Sequence, residues 1–335
     1  MVCSNSIISR LPELPLSVRP GAAGERPTAK LSHAIGRRFD RGSYFFQGGF
    51  IGAAITQNDS LYRIPTIDGA DRNTRMDVHQ TKVNLKGEYR ADAAAVDAIR
   101  FWTGATDYRH NEVGLADPSD PASDGVRQIL TSKEQEIRTE VQLVPFNVRF
   151  AEVTTAIGVQ ASHQQLTVPS PDYAGTLFNG LWDPNNHTRV AGNVFNEFKF
   201  SEYTKAQISG RIEHIGLHGS TPNFPADFLP DGAPQASITR NPSFMPKSGS
   251  IGLLQDLPGG MVGSITAQYV ERAPKPAELF SRGAHDATAT FDIGNPNLAM
   301  ETAKSVEIGL SKATGSFRVE ATAYHARFDN FALAV

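Results

Sequence analysis

Ser305-Val306-Glu307-Ile308-Gly309-Leu310-Ser311 and Phe317-Arg318-Val319-Glu320-Ala321-Thr322-Ala323-Tyr324 decide the fold class. In the first run Val306, Ile308 and Leu310 alternate with Ser305, Glu307, Gly309 and Ser311. In the second, Phe317, Val319, Ala321 and Ala323 alternate with Arg318, Glu320, Thr322 and Tyr324. Successive side chains of a strand point to opposite faces, so each run is a strand with one apolar and one polar face. The joint Ala313-Thr314-Gly315-Ser316 makes the pair an antiparallel hairpin.

The same alternation recurs upstream. Ile137, Thr139, Val141 and Leu143 oppose Glu136, Arg138, Glu140 and Gln142. Val153, Thr155, Ile157 and Val159 follow, then Ala206, Ile208, Gly210 and Ile212, and Met261 to Arg272 alternates through Ile265, Ala267 and Tyr269. Weaker strands fit 43–56, 76–90, 97–109, 190–200 and 247–256. The total is about eleven strands, with no sustained helical stripe. Short connections near 90–96, 145–151, 200–204, 256–261 and 312–316 alternate with long polar ones near 57–75, 110–133, 163–189, 215–246 and 272–302. That alternation outlines an up-and-down antiparallel transmembrane β-barrel, apolar face to lipid and polar face to the lumen. A large soluble β protein is the competing reading of the periodicity.

Composition narrows the classes. Lys plus Arg is 32 and Asp plus Glu is 35, a formal net charge of -3. Nucleic acid as a partner needs a basic surplus, which is missing. Hydrophobic residues are 40% and no run approaches a spanning helix. Cys3 is the single cysteine, so an intrachain disulfide framework and a Cys-based metal cluster are excluded. The start does not read as an export signal: Ile7-Ile8 meets Ser9-Arg10, and Pro12, Pro15 and Pro20 follow. Residues 1–42 therefore read as an irregular leader, and 43–335 as the β domain. No Gly-x-Ser-x-Gly elbow, His-Glu-x-x-His or phosphate loop is present, so no enzyme is expected.

Glu271-Arg272-Ala273-Pro274-Lys275-Pro276-Ala277-Glu278-Leu279-Phe280 is followed by Phe291-Asp292-Ile293-Gly294-Asn295-Pro296-Asn297-Leu298, by Glu301-Thr302 and by the strand from Ser305. This order of boxes resembles the barrel of TonB-dependent outer-membrane receptors. Asp77 to Tyr89, Thr106 to His110 and Tyr62-Arg63-Ile64-Pro65 look like earlier signatures of the same family. The resemblance implies uptake of a ferric siderophore, haem or zinc across the outer membrane of a Gram-negative bacterium. It implies outer-membrane lipid and the TonB-ExbB-ExbD complex as partners and no resident cofactor. It also makes the chain about half of a barrel of roughly 22 strands, with no plug domain recognised. An open half-barrel exposes unpaired edges, so the expectation is a fragment that is not transport-competent alone. A porin-like passive barrel is the alternative.

Among the boxes, Arg272, Ala273, Pro274, Glu278, Leu279, Asn295, Pro296, Asn297, Leu298 and Glu301 read mainly as loop-folding residues. The prolines cannot donate to a ladder, and Gly294-Asn295-Pro296 is a turn signal. Three histidines in long loops are the candidate ligand contacts: His285, His110 and His187. The resemblance implies His285 as a haem ligand, because haem receptors of this family carry an axial histidine in that interval, and imidazole suits iron; similar boxes with a nearby histidine also occur in its zinc and siderophore receptors. His110 and His187, with Asp107, Glu112 and Asp183, form an imidazole-and-carboxylate set suited to zinc. His214 and His218 are four apart, but on a strand that spacing is about 13 Å, too far for one ion.

Overall fold

A computed structural model describes residues 3–10, 33–64, 67–171, 177–223, 236–285 and 290–332. In chain order its strands are β1 (Cys3–Arg10), β2 (His33–Phe46), β3 (Gly49–Arg63), β4 (Arg75–Arg90), β5 (Val96–Leu115), β6 (Asp124–Leu143) and β7 (Phe146–Val148). There follow β8 (Ala151–Thr167), β9 (Pro169–Pro171), β10 (Leu177–Asn179), β11 (Asn185–Lys199), β12 (Thr204–Thr221), β13 (Ile238–Arg240) and β14 (Ser243–Phe244). The last are β15 (Lys247–Leu257), β16 (Met261–Arg272), β17 (Arg282–His285), β18 (Thr290–Ile293), β19 (Glu301–Lys312) and β20 (Val319–Asp329). Two short helices, α1 (Ile67–Asp71) and α2 (Pro276–Phe280), lie in long connections.

One antiparallel sheet runs β1-β2-β3-β4-β5-β6-β8-β11-β12-β15-β16-β19-β20, each strand beside its sequence neighbour or across a loop from it. This is the meander that short turns dictate. Among the described residues β1 and β20 do not pair, so the sheet is open.

Two expectations are corrected. The stretch 43–56 is not one strand: Phe46 pairs with Gly49, and the chain turns at Gln47-Gly48. Gly48 takes φ 84, which an L side chain resists, so the turn is set there. The irregular reading of 1–42 also fails at the described residues, since β2 begins at His33 and Cys3 to Arg10 pairs with Gly36 to Ser43. Ser, Arg and Gly within these strands hide the alternation that marks the later ones.

The two faces of the sheet are inverted relative to a soluble protein. Outward lie Ile51, Ile55, Val83, Leu85, Ile137, Val159, Ile208, Ile251, Ile265 and Ile308, all exposed. Register brings them into rows: Ile208 opposite Ile251, Leu253 opposite Ile265, and Ile265 opposite Ile308. Apolar rows facing out match the band that faces lipid in a barrel wall. Above the band the same face turns polar. His79 Nδ1 meets Asp59 at 2.8 Å, and its Nε2 meets Asp77 at 3.2 Å.

The inner face carries charge. Arg100 bonds Glu88 at 2.9 Å and Glu140 at 3.2 Å, and Arg138 bonds Glu140 at 3.0 Å while lying 4.9 Å over the Trp102 ring. Further along, Arg189 meets Glu134 at 2.9 Å and Arg211 meets Glu213 at 3.3 Å. Each charge has an opposite partner, which keeps the half-buried guanidiniums from being stranded.

Candidate functional site

Chemistry-bearing residues collect at the long-loop end, beyond the apolar band. The segment between β16 and β19 organises them. Pro276 opens α2 at a position where its missing N–H costs nothing. Glu278 Oε2 accepts the Lys275 N–H at 2.7 Å, which caps the helix start. The same carboxylate takes both terminal nitrogens of Arg272, at 3.1 and 3.0 Å, while Arg272 Nε donates to Glu301 at 2.5 Å. Glu301 also accepts the Ala332 N–H. One guanidinium thus ties the end of β16 to α2 and to the start of β19. The Glu301 carboxylate beside it raises Arg272 further above its already high range, while Arg272 lowers Glu301.

The rest of the segment closes on this tie. Gly294 N–H donates to Ser281 at 2.7 Å, and Asn295 N–H donates to the Glu278 carbonyl at 2.8 Å. A Cβ at Gly294 would stand 2.8 Å from the Leu279 carbonyl carbon and 2.9 Å from the Phe280 and Ser281 nitrogens, so only glycine fits. Leu279 and Phe280 are 0% exposed. They pack with Val168, Leu181, Trp182, Ile215, Leu217 and Ala273 into an apolar core, which Leu298 flanks. Of the sequence boxes, Arg272, Ala273, Glu278, Leu279, Asn295, Leu298 and Glu301 all take part. Pro274 is buried beside them, and Asn297 N–H donates to Asn295 Oδ1 at 2.9 Å in the turn at Pro296.

Two of the three candidate histidines come together. Antiparallel β17 and β18 pair Arg282 with Ile293 and His285 with Thr290. His285 Nδ1 lies 3.1 Å from Asp292, and its Nε2 lies 3.5 Å from Glu112 on β5. Glu112, 1% exposed, has its carboxylate 3.8 Å from His110 Nε2, and the Tyr108 hydroxyl meets His110 Nδ1 at 2.8 Å. Burial pushes Glu112 up, but the imidazoles of His110 and His285 outweigh it and hold the carboxyl at about 2. Glu112 raises His285 against the opposing effect of burial, and Asp292 adds to the rise.

His187 stands apart, on β11 opposite Gln164 and Leu217. Burial, helped by Arg189 and His163, lowers it to about 4. Its Nε2 is buried without a hydrogen-bond partner, as are Trp182 Nε1 and Asn185 Oδ1 nearby in the chain. Asp107 is exposed on the outer face, facing Lys133 at 3.9 Å, and so does not join His110. Among the described residues, no three His, Cys, Asp or Glu side chains are arranged to hold a metal ion. The sequence reading missed Gln128, which is buried opposite Glu112 on β6; an isolated glutamine in a polar run carries no signal.

A sequence model of the family described as "TonB dependent receptor-like, beta-barrel" matches residues 24–335. The chain belongs to that family. Solved structures agree on the fold. The Serratia marcescens hemophore receptor HasR, in complex with its hemophore HasA and heme, superposes with a TM-score of 0.66 at 12% identity, over 89% of this chain and 46% of that one. The copper transporter OprC gives 0.64 at 11% identity, over 90% and 46%. The ferric-catecholate import receptor Fiu of E. coli K12 gives 0.62 at 12%, over 90% and 52%. The chain thus spans about half the length of these receptors. Its inverted sheet is a TonB-dependent receptor wall, and its locked loops lie at the end away from the tight turns. The family consists of transport receptors rather than enzymes, β-barrels of the Gram-negative outer membrane.

Proposed function

We propose that this chain supplies barrel wall and outer loops to a receptor that takes up a scarce ligand, a ferric siderophore, haem or zinc, across a Gram-negative outer membrane. The family match over 24–335 carries this reading. The neighbours' names, which include a hemophore receptor, a copper transporter and a ferric-catecholate import receptor, support the cargo class. Energy comes from the TonB-ExbB-ExbD complex, and the apolar rows contact outer-membrane lipid. The chain contributes binding and conformational work, with no covalent step.

The share of its relatives' length that it covers supports reading it as part of a longer receptor that is not transport-competent alone. His187 keeps its place among the candidate contacts, since its Nε2 has no hydrogen-bond partner. His110 and His285 are engaged with Glu112, so their part is to shape the mouth.

The test is uptake by the bacterium that carries the gene. Deletion of the whole receptor to which this chain contributes is expected to abolish high-affinity uptake of one of ferric siderophore, haem or zinc under limitation, with no further loss when TonB is also removed. Unchanged uptake of all three, or a TonB-independent leak of small solutes that deletion removes, refutes the receptor reading; the leak points to a porin-like barrel.

A further inference from the structure

We propose that Arg63 and Arg75, side by side at the long-loop ends of β3 and β4, form a seat for a phosphate group. Register supplies the first half of the argument. Arg63 lies directly opposite Arg75 in the antiparallel ladder. Residues so placed share a face, with Cβ atoms about 5 Å apart, and like charges there destabilise the pair. The face is the outward one: Arg63 alternates to the same side of β3 as Ile51 and Ile55, and Arg75 to the same side of β4 as Val83 and Leu85. Two backbone bonds keep this corner from splaying. Ile64 N–H donates to the Thr74 carbonyl at 3.2 Å, and Leu115 N–H donates to the Arg72 carbonyl at 2.7 Å.

The charges around the pair supply the second half. Asp124 takes one nitrogen of Arg75, Nη2, on both carboxylate oxygens, at 3.0 and 2.7 Å. Asp77, one step down the same face opposite Leu61, lies 3.2 Å from His79 Nε2, and Asp59 holds the other ring nitrogen at 2.8 Å. These acids are engaged. Among the described residues Arg63 makes no ion pair, and its Nε is buried with no hydrogen-bond partner. A buried donor of a charged group left unsatisfied is costly, and a second guanidinium beside it adds to the cost.

The donor geometry selects the ligand. A guanidinium is a planar fork of N–H groups that matches two oxygens of an oxyanion. Arg75 bonds Asp124 through Nη2 alone, so its Nε and Nη1 are left to share a ligand with the Arg63 fork. A phosphate group offers oxygens to both forks at once and carries enough charge to offset the surplus. A lone carboxylate serves one fork, and a cation is repelled. The phosphate is either free or part of a lipid headgroup, and the chemistry of the seat is the same for both. The seat is separate from the histidine cluster, because Glu112 lies opposite Met76, whose side chain points to the other face from Arg75.

The experiment places the full-length receptor in phosphatidylcholine nanodiscs and titrates inorganic phosphate, with sodium chloride holding the ionic strength constant. Calorimetry is expected to show one phosphate site, and the thermal midpoint to climb with the logarithm of phosphate concentration. Arg63→Gln weakens that site by about tenfold or more, as loss of a charged hydrogen bond does. Arg63→Lys gives an intermediate affinity, since it keeps the charge and loses the fork. In chloride without phosphate, Arg63→Gln leaves the midpoint unchanged or higher, because it removes a stranded charge. Three results overturn the proposal: chloride matching the effect of phosphate, an unchanged titration in Arg63→Gln, or a midpoint that Arg63→Gln lowers without phosphate. A variant too unstable to measure falls under the third. Nanodiscs that also contain lipopolysaccharide identify the source. A titration lost there, with the midpoint already raised, assigns the seat to lipid phosphate, and an unchanged one assigns it to free phosphate. No cargo is used, so failure here leaves the uptake reading standing.

Discussion

Replacing Gly294 with alanine should unlock the loop between β16 and β19 without opening the wall. The added Cβ meets three backbone atoms at 2.8 to 2.9 Å, and none of them belongs to a side chain that could swing away. Overpacking of this kind costs about 1–3 kcal/mol. Relief requires the turn to lift off α2, which stretches the Gly294–Ser281 and Asn295–Glu278 bonds, each worth roughly 1 kcal/mol. The two costs are alternatives, and at the upper end, about 3 kcal/mol, the open population rises roughly a hundredfold. Amide hydrogen exchange at one pH reads it directly. The Leu279, Ser281, Gly294 and Asn295 amides should lose about a hundredfold in protection. Amides in the centre of β5 should not change, because the opening is local. A loss of less than about threefold at Gly294 and Asn295 refutes the argument that close backbone approach fixes this glycine.

Arg272→Ala should speed proteolytic nicking of the same loop. With the Arg272 side chain 35% exposed, solvent screening discounts the cost to about 1–3 kcal/mol, and Arg272→Lys should not rescue a bidentate tie. Ile137→Arg places a charge on the lipid face, where 54% of Ile137 is exposed, and should cost about 2–4 kcal/mol in urea unfolding followed by heat-modifiable gel migration; Glu136→Arg, on the inner face, should cost far less. His187, lowered to about 4, should stay neutral by NMR at neutral pH. Its depressed value contributes stability that is complete above 6.5 and lost as pH falls toward 4, and His187→Gln should flatten that part of the pH–stability curve.

The wall was legible because burial in lipid demands strict alternation. The run Ser305 to Ser311 falls inside β19, and Met261 to Arg272 coincides with β16. Strand ends were not legible where the demand lapses. The expected 97–109 extends to Leu115, and the strand found from Glu136 begins at Asp124, since above the lipid both faces are wet and either tolerates charge. The Gln47-Gly48 turn was hidden because aromatic and small residues flank it on both sides. In the site, the box order pointed to the loop lock, but not to Arg272 as its centre. The meeting of His285 with Glu112 could not be read at all. It depends on a hairpin crossing five strands, and no local spacing encodes that.

The height of the long strands has an electrostatic consequence. On β5 the lipid-facing row ends near Ala105, and Glu112 is seven residues further on. That is about 23 Å of strand, or roughly 16 Å of elevation at a 45° tilt. The screening length at physiological ionic strength is about 8 Å. Charge gripped at the mouth is therefore insulated from the surface potential of the lipid headgroups and pays none of the Born cost of the hydrocarbon. The wall acts as a dielectric standoff, so the mouth can select among anions and cations by its own side chains, whatever lipids surround its base.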